Sequence, residues 1–217
     1  NAFCSFIQSL FYVFSMITKI GNINNQVNIE SDVAIKTFSL NKNSNFNREL
    51  AFYKLCKAKD IKQVPFLLDY SNEKKEIRIK YISGIKPKTL TKLFLNQVSI
   101  FLSDLNKNNP NLLPNAGEAI LTNTCLYGHL ENRLNQIGIK GEHHPKGLAI
   151  KVEKIINILK KTSIDLGGIV INPSDLGLHN MILNNRNLFF YDFEYAGKDS
   201  YLKLLVDFCL HPVNNID

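Results

Sequence analysis

Pro173-Ser174-Asp175-Leu176-Gly177-Leu178-His179-Asn180 runs into Met181 to Leu183, an Asn-rich turn at Asn184 to Asn187, a second apolar run from Leu188, and then Asp192-Phe193-Glu194-Tyr195-Ala196-Gly197. Two short β-rich runs around such a turn read as a hairpin, whose outer ends emerge side by side. Asp175 and Asn180 stand five apart in the loop before the hairpin, and Asp192 stands twelve further on, at the end of the returning strand. That spacing gathers three oxygen-bearing side chains at one end of the hairpin. Such a set suits a hard divalent cation with a base beside it.

Upstream, the chain supplies a cationic counterpart. Val33-Ala34-Ile35-Lys36 reads as a strand from which Lys36 leaves the packed face, where it can meet phosphate oxygens. An edge-strand lysine is the plainer alternative. Glu49 follows thirteen residues later on a helix predicted over Asn45 to Lys59, and a helix packed on a sheet can offer that lysine an anionic partner. Before them, Lys19-Ile20-Gly21-Asn22-Ile23-Asn24-Asn25-Gln26 forms a Gly/Asn turn cluster. With the β-rich runs Val27 to Ile29 and Val33 to Phe38 it reads as a hairpin region whose backbone N–H groups can face an anion.

Taken in order, these residues resemble the protein-kinase fold: Lys36 in a VAIK run, Glu49 downstream, D-x-x-x-x-N at Asp175 to Asn180, and Asp192-Phe193. Asp192-Phe193-Glu194-Tyr195-Ala196-Gly197 is similar to the DFEYAG often found in the aminoglycoside phosphotransferase and choline kinase group, and no APE-like segment follows it. The resemblance covers about Ile17 to Pro212. It implies an α+β, bilobal, protein-kinase-like fold with a small β-rich N-terminal lobe, residues 1–82, and a larger, mainly helical lobe, residues 83–217. It implies ATP (or GTP) and Mg2+ as cofactors, and transfer of the γ-phosphoryl group to a hydroxyl of a small molecule. Asp175 is then the expected catalytic base, with Asn180 and Asp192 as magnesium ligands. Lys36 is expected at the nucleotide phosphates and oriented by Glu49. The turn carrying Gly21, Asn22, Asn24 and Asn25 would cover the phosphates, and the backbone of Lys80, Tyr81 and Ile82 would hold the adenine. Glu194 is read as a further metal contact or a structural acceptor, and either Asp199 or Asp207 as a brace for the catalytic loop. One position departs from the pattern: Pro173 stands where the family usually has a loop-bracing His, which keeps an inactive, nucleotide-binding pseudokinase as the alternative.

The remaining sequence agrees with a globular chain. It has 217 residues, 45% apolar and 21% charged, and carries a formal net charge of +7. This composition excludes disordered, collagenous and disulfide-scaffold classes. Lysines are spread along the chain rather than gathered with aromatics on one element, so no nucleic-acid partner is expected. Cys4, Cys56, Cys125 and Cys209 are widely separated, with no CxxC pair, and read as reduced thiols of a cytoplasmic protein. The apolar stretch Ala2 to Ile17 repeats at helical spacing and is shorter than a membrane span, so it reads as a packed amphipathic helix. Further helices are predicted over Thr89 to Asn106, Glu118 to Ile137, Leu148 to Lys161 and Leu202 to Leu210. The break at Ser83-Gly84-Ile85-Lys86-Pro87 separates the two lobes. The acceptor pocket is expected in the helical lobe, where Glu118, His129, Glu131 and Arg133 lie on one predicted helix; Glu118 reads equally as a helix-start acid, and His129 with Arg133 reads first as a solvated surface pair. A sugar, a sugar derivative or an amino alcohol is the expected acceptor, and His143-His144 has no partner at metal-ligand spacing. Oligomeric state is not legible.

Overall fold

A computed structural model describes residues 25–139 and 163–214, together with 154, 156–158, 160 and 161. The described residues begin with β1 (Gln26–Glu30) and β2 (Val33–Thr37), followed by α1 (Asn43–Ala58), β3 (Leu67–Ser71) and β4 (Glu76–Lys80). These four strands form one sheet in the order β1-β2-β4-β3, with every neighbouring pair antiparallel. The turn joining β1 to β2 is Ser31-Asp32, with Ser31 at φ 57°. The expected hairpin therefore turns there and not at the Gly/Asn cluster. Of that cluster, Gly21, Asn22 and Asn24 lie outside the described residues, as does the apolar stretch Ala2 to Ile17.

The β2 register explains how one strand serves both core and site. Lys36 lies opposite Ile77 and Ile35 opposite Arg78, and adjacent residues face opposite sides of a sheet. Ile35 is buried, and Lys36 reaches the other side toward α1. That helix is apolar on more than one face, burying Phe46, Leu50 and Tyr53 along with Phe52, Leu55 and Cys56, because it is wedged between the sheet and the segment around Phe193.

The rest of the chain carries α2 (Lys92–Asn106), α3 (Asn123–Ile139), β5 (Ile169–Asn172), β6 (Met181–Asn184), β7 (Asn187–Phe190), β8 (Gly197–Ser200) and α4 (Tyr201–Cys209). β6 and β7 pair as the predicted hairpin, and β5 pairs antiparallel with β8. α2 begins three residues later than predicted, because the Thr91 hydroxyl accepts from the Phe94 N–H at 3.3 Å and caps it there. The start of α3 moves from the predicted Glu118 to Asn123. Glu118 has φ 57°, outside the helical region, and the 116–120 segment bonds elsewhere: Ala116 N–H to Lys198 O, Gly117 N–H to Tyr195 O and Ile120 N–H to Asp199 Oδ1. The helix predicted over Leu148 to Lys161 lies mostly outside the described residues, as does His143-His144. A single apolar cluster runs from α1 residues through Phe101 and Leu105 of α2 to Ile171, Met181, Leu188, Phe190 and Phe193. Among the described residues, no helix is long and apolar enough to cross a membrane.

Candidate active site

Lys36, on β2, points its ammonium at three carboxylates. Its Nζ lies 2.6 Å from Glu49 Oε2, 2.5 Å from Asp192 Oδ1 and 3.7 Å from Glu194 Oε2. Burial disfavours the charge on this lysine, but Glu49 and Asp192 outweigh it and hold the ammonium above its ordinary range. Glu49, fully enclosed on α1, behaves in the opposite sense. Burial pushes its carboxyl up to about 7, against the pull of Lys36. The direction best supported by the geometry is a permanently charged Lys36, because Asp192 is a second anion within contact. Ligand atoms of Glu49, Asp192 and Glu194 all lie within 4.8 Å of one another. Three carboxylates facing one ammonium leave net negative charge and an all-oxygen donor set, which fits a hard cation such as Mg2+.

Asp192 directs its carboxylate from a residue at φ 67°, in the left-handed region. The backbone there is held on both sides. Tyr191 N–H donates to Asn180 O at 3.2 Å, and Phe193 stacks on Phe52 with ring centroids 4.2 Å apart. Glu194 is fastened from two directions: the Asn25 amide donates to its Oε2, and Arg48 Nε donates to its carbonyl at 3.0 Å. Asn25, the described end of the turn cluster, thus reaches the DFEYAG segment directly.

Asp175 and Asn180 sit on the loop between β5 and β6. Asn180 is buried, and its Nδ2 donates to the Asp175 carbonyl at 3.0 Å, which ties the two together. The Asp175 carboxylate meets two imidazoles, His211 Nε2 at 2.8 Å from Oδ1 and His179 Nε2 at 3.3 Å from Oδ2. Burial alone would raise this carboxyl. The hydrogen bonds and charges of His179 and His211 overcome it and hold Asp175 well below the usual carboxylate range. His179 is raised in turn, chiefly by its bond to Asp175. The loop is braced from below by Asn172, whose Oδ1 accepts from Ser174 N–H at 2.8 Å and whose Nδ2 faces both Asp199 (3.2 Å) and Asp207 (3.4 Å). Both acids therefore reach the loop through one amide, where the spacing left a choice between them. Burial pushes Asp207 up.

The structure thus draws Lys36, Glu49, Asp192, Glu194 and Asn25 into one cluster and Asp175, Asn180 and His179 into a second, joined through the Tyr191–Asn180 backbone bond. Asp192 also acts electrostatically on His179. The backbone of Lys80 and Tyr81 is partly committed, since Lys80 N–H donates to Phe66 O at 2.8 Å and Tyr81 N–H to Asp32 O at 2.7 Å. A groove of about 280 Å³ beside Cys56, Phe66, Lys80, Ile82 and Phe189 touches none of the clustered side chains. In the helical lobe, His129 Nε2 lies 3.3 Å from Ala119 O and Glu131 pairs with Lys160, so neither converges with Asp175. His211, Asn214, Asn172 and Arg48 were missed by sequence reasoning. Apart from the Asn172–Ser174 bond, each acts on the site across a long sequence separation, and the motifs quoted from the sequence include none of them.

No family model and no curated protein sequence matches this chain. Solved structures do. A choline/ethanolamine kinase family protein from Mesorhizobium loti aligns with a TM-score of 0.57 at 13% identity, over 89% of this chain and 67% of that one. The gentamicin complex of APH(2'')-IIa gives 0.64 at 18%, over 85% and 65%. The ADP-bound aminoglycoside phosphotransferase APH(2'')-Ib gives 0.62 at 17%, over 92% and 73%. The chain spans about two thirds of the length of the first two. Its fold is the protein-kinase-like, bilobal α+β fold. Within that class, its structural neighbours are choline kinase family proteins and aminoglycoside phosphotransferases.

Proposed function

We propose that this protein is a small-molecule kinase that moves the γ-phosphoryl group of ATP, or GTP, to a hydroxyl of a sugar, a sugar derivative or an amino alcohol. The observation that carries the reading is the meeting of Lys36 with Glu49 and Asp192 at one point, beside a loop that offers Asp175 and Asn180. A choline/ethanolamine kinase family protein and an ADP-bound aminoglycoside phosphotransferase among the structural neighbours support it.

In this reading Lys36 holds phosphate oxygens, oriented by Glu49, and Gly21, Asn22, Asn24 and Asn25 cover them. The 80–82 connection receives the adenine. Asn180, through the oxygen not paired with Asp175, and Asp192 would hold Mg2+, with Glu194 beside them. The ion, when bound, neutralises charge on the phosphates. The acceptor oxygen bonds to the γ-phosphorus as the bond to the β,γ-bridging oxygen breaks, ADP leaves, and Asp175 takes the hydroxyl proton late in the step. A carboxylate held well below its usual range is a weak base, which suits a group that orients the hydroxyl first and accepts its proton only once the phosphorus–oxygen bond is forming. The lobe boundary at 82/83 belongs to the same proposal. It is supported by the sheet ending at Lys80, after which Ile85 pairs with Leu183 of β6.

A screen of hydroxyl acceptors with wild type and Asp175→Asn side by side tests the reading. Turnover should fall by about 10³-fold or more while Mg·ATP affinity stays within a few-fold. Unchanged turnover in the variant removes Asp175 from the mechanism. Pro173 favours one second reading, an inactive nucleotide-binding module, which predicts Mg·ATP binding with no turnover on any acceptor.

A further inference from the structure

Pro173 has no side-chain donor with which to brace the loop before Asp175, yet the loop is held. The residues that hold it come from the segment after α4. Asn214 is fully buried and makes three bonds: its Oδ1 accepts from Leu178 N–H at 3.1 Å, and its Nδ2 donates to Leu176 O and Phe208 O, both at 3.0 Å. Two of those three partners belong to the catalytic loop and the third to α4. The same segment carries His211, whose Nε2 lies 2.8 Å from Asp175 Oδ1.

The tautomer of His211 follows from its other nitrogen. Val213 N–H approaches Nδ1 at 3.4 Å and needs a lone pair there. The proton therefore sits on Nε2, and His211 donates to Asp175. This tautomer also argues against a metal at the Asp175–His179–His211 cluster. Ligation through Nε2 would require the proton on Nδ1, against the Val213 N–H. Gly177 confines the arrangement further, since a Cβ on it would come within 2.5 Å of both the His179 and the His211 rings. The loop glycine is thus what allows both imidazoles to close on one carboxylate.

We infer that His211 is a positioning residue for Asp175: the segment 208–214 acts as a strap that braces the catalytic loop, with His211 fixing the carboxylate's rotation and Asn214 fixing the backbone of 176–178. With Oδ1 held by His211 at 2.8 Å and Oδ2 bonded more loosely to His179 at 3.3 Å, the carboxylate's rotation is set before substrate arrives, and the remaining lone pair of Oδ2 is the one an acceptor hydroxyl would meet. The inference rests on the reading of Asp175 as the base for phosphoryl transfer, but the strap itself is a matter of geometry, and the two are tested apart.

The first arm needs no activity. In protein labelled with 15N-histidine, with the His211 signals assigned by their loss in His211→Gln, His211 should show the Nε2–H tautomer, and its signals should move in Asp175→Asn. A His211 averaged between tautomers and indifferent to Asp175→Asn overturns the strap. The second arm measures ATP turnover, with water and with the acceptor panel, in wild type, His211→Leu and His211→Gln. Leucine fills the space without donating, while the glutamine amide can still donate to Oδ1. Turnover should fall about 10- to 100-fold in His211→Leu at nearly constant KM for ATP, the scale expected from mispositioning a reacting group, and should return to within about fivefold of wild type in His211→Gln. Equal turnover in wild type and His211→Leu, or equal losses in both variants, overturns the positioning role. If wild type turns over no ATP, the phosphotransfer reading falls, and the imidazole signals alone decide the strap.

Discussion

Asp175 and His179 form a pair whose two members shift in opposite directions, and the pair sets a pH window. Asp175 is depressed below its ordinary 3.8 and His179 is raised above its ordinary 6.5. A depressed acid stabilises the fold above its unfolded value and loses that contribution as pH falls through the folded one. A raised histidine stabilises below its unfolded value and loses it as pH rises through the folded one. Their joint contribution is therefore largest between about pH 4 and 6.5. Without nucleotide or magnesium, the difference in Tm between wild type and Asp175→Asn should be greatest inside that window and shrink as rising pH strips the proton from His179. A difference that grows steadily into alkaline pH would contradict the pairing. His179 is half exposed, so the effect is expected to be modest.

Phe193 shows how one side chain joins several elements. It stacks on Phe52 at 4.2 Å and meets Tyr53 edge-on at 5.5 Å, both on α1, while Phe101 of α2 stacks on Phe190 of β7 at 4.3 Å. Phe193→Ala should cost about 3–5 kcal/mol of unfolding free energy, the usual range for emptying a buried aromatic site. Chemical denaturation should show that loss; less than about 1 kcal/mol would mean that the ring is not the anchor its contacts make it. At this level much was legible in the sequence. The β6–β7 hairpin declared itself by its Asn-rich turn, and α1, α2 and α4 by their apolar spacing and breaks. The start of α3 was not, because Glu118 reads as a helix-starting acid, whereas bonds from 116–120 to residues some 80 positions away hold it in a turn. Local propensity loses to such tertiary partners.

For the molecule as a whole, the reading predicts that Mg·ADP raises the midpoint of unfolding. At 100 times its Kd the gain is about 2.7 kcal/mol. Asp192→Ala should abolish most of it, and an equal shift in the variant would remove Asp192 from the cation site. The clustering of Lys36, Glu49 and Asp192 was legible as an ordered set of residue types. The strap from 208–214 was not, since His211 and Asn214 are ordinary residues until the fold brings them beneath Asp175. The aromatic corner at Phe193 has one more consequence. Beside it Arg48 donates to the Glu194 carbonyl, so α1 is pinned to the DFEYAG segment by a ring stack and a hydrogen bond. Glu194 is thus fastened twice, at its carbonyl by α1 and at its side chain by Asn25, so the start of the first strand, the first helix and the acidic end of the hairpin are knotted at a single residue.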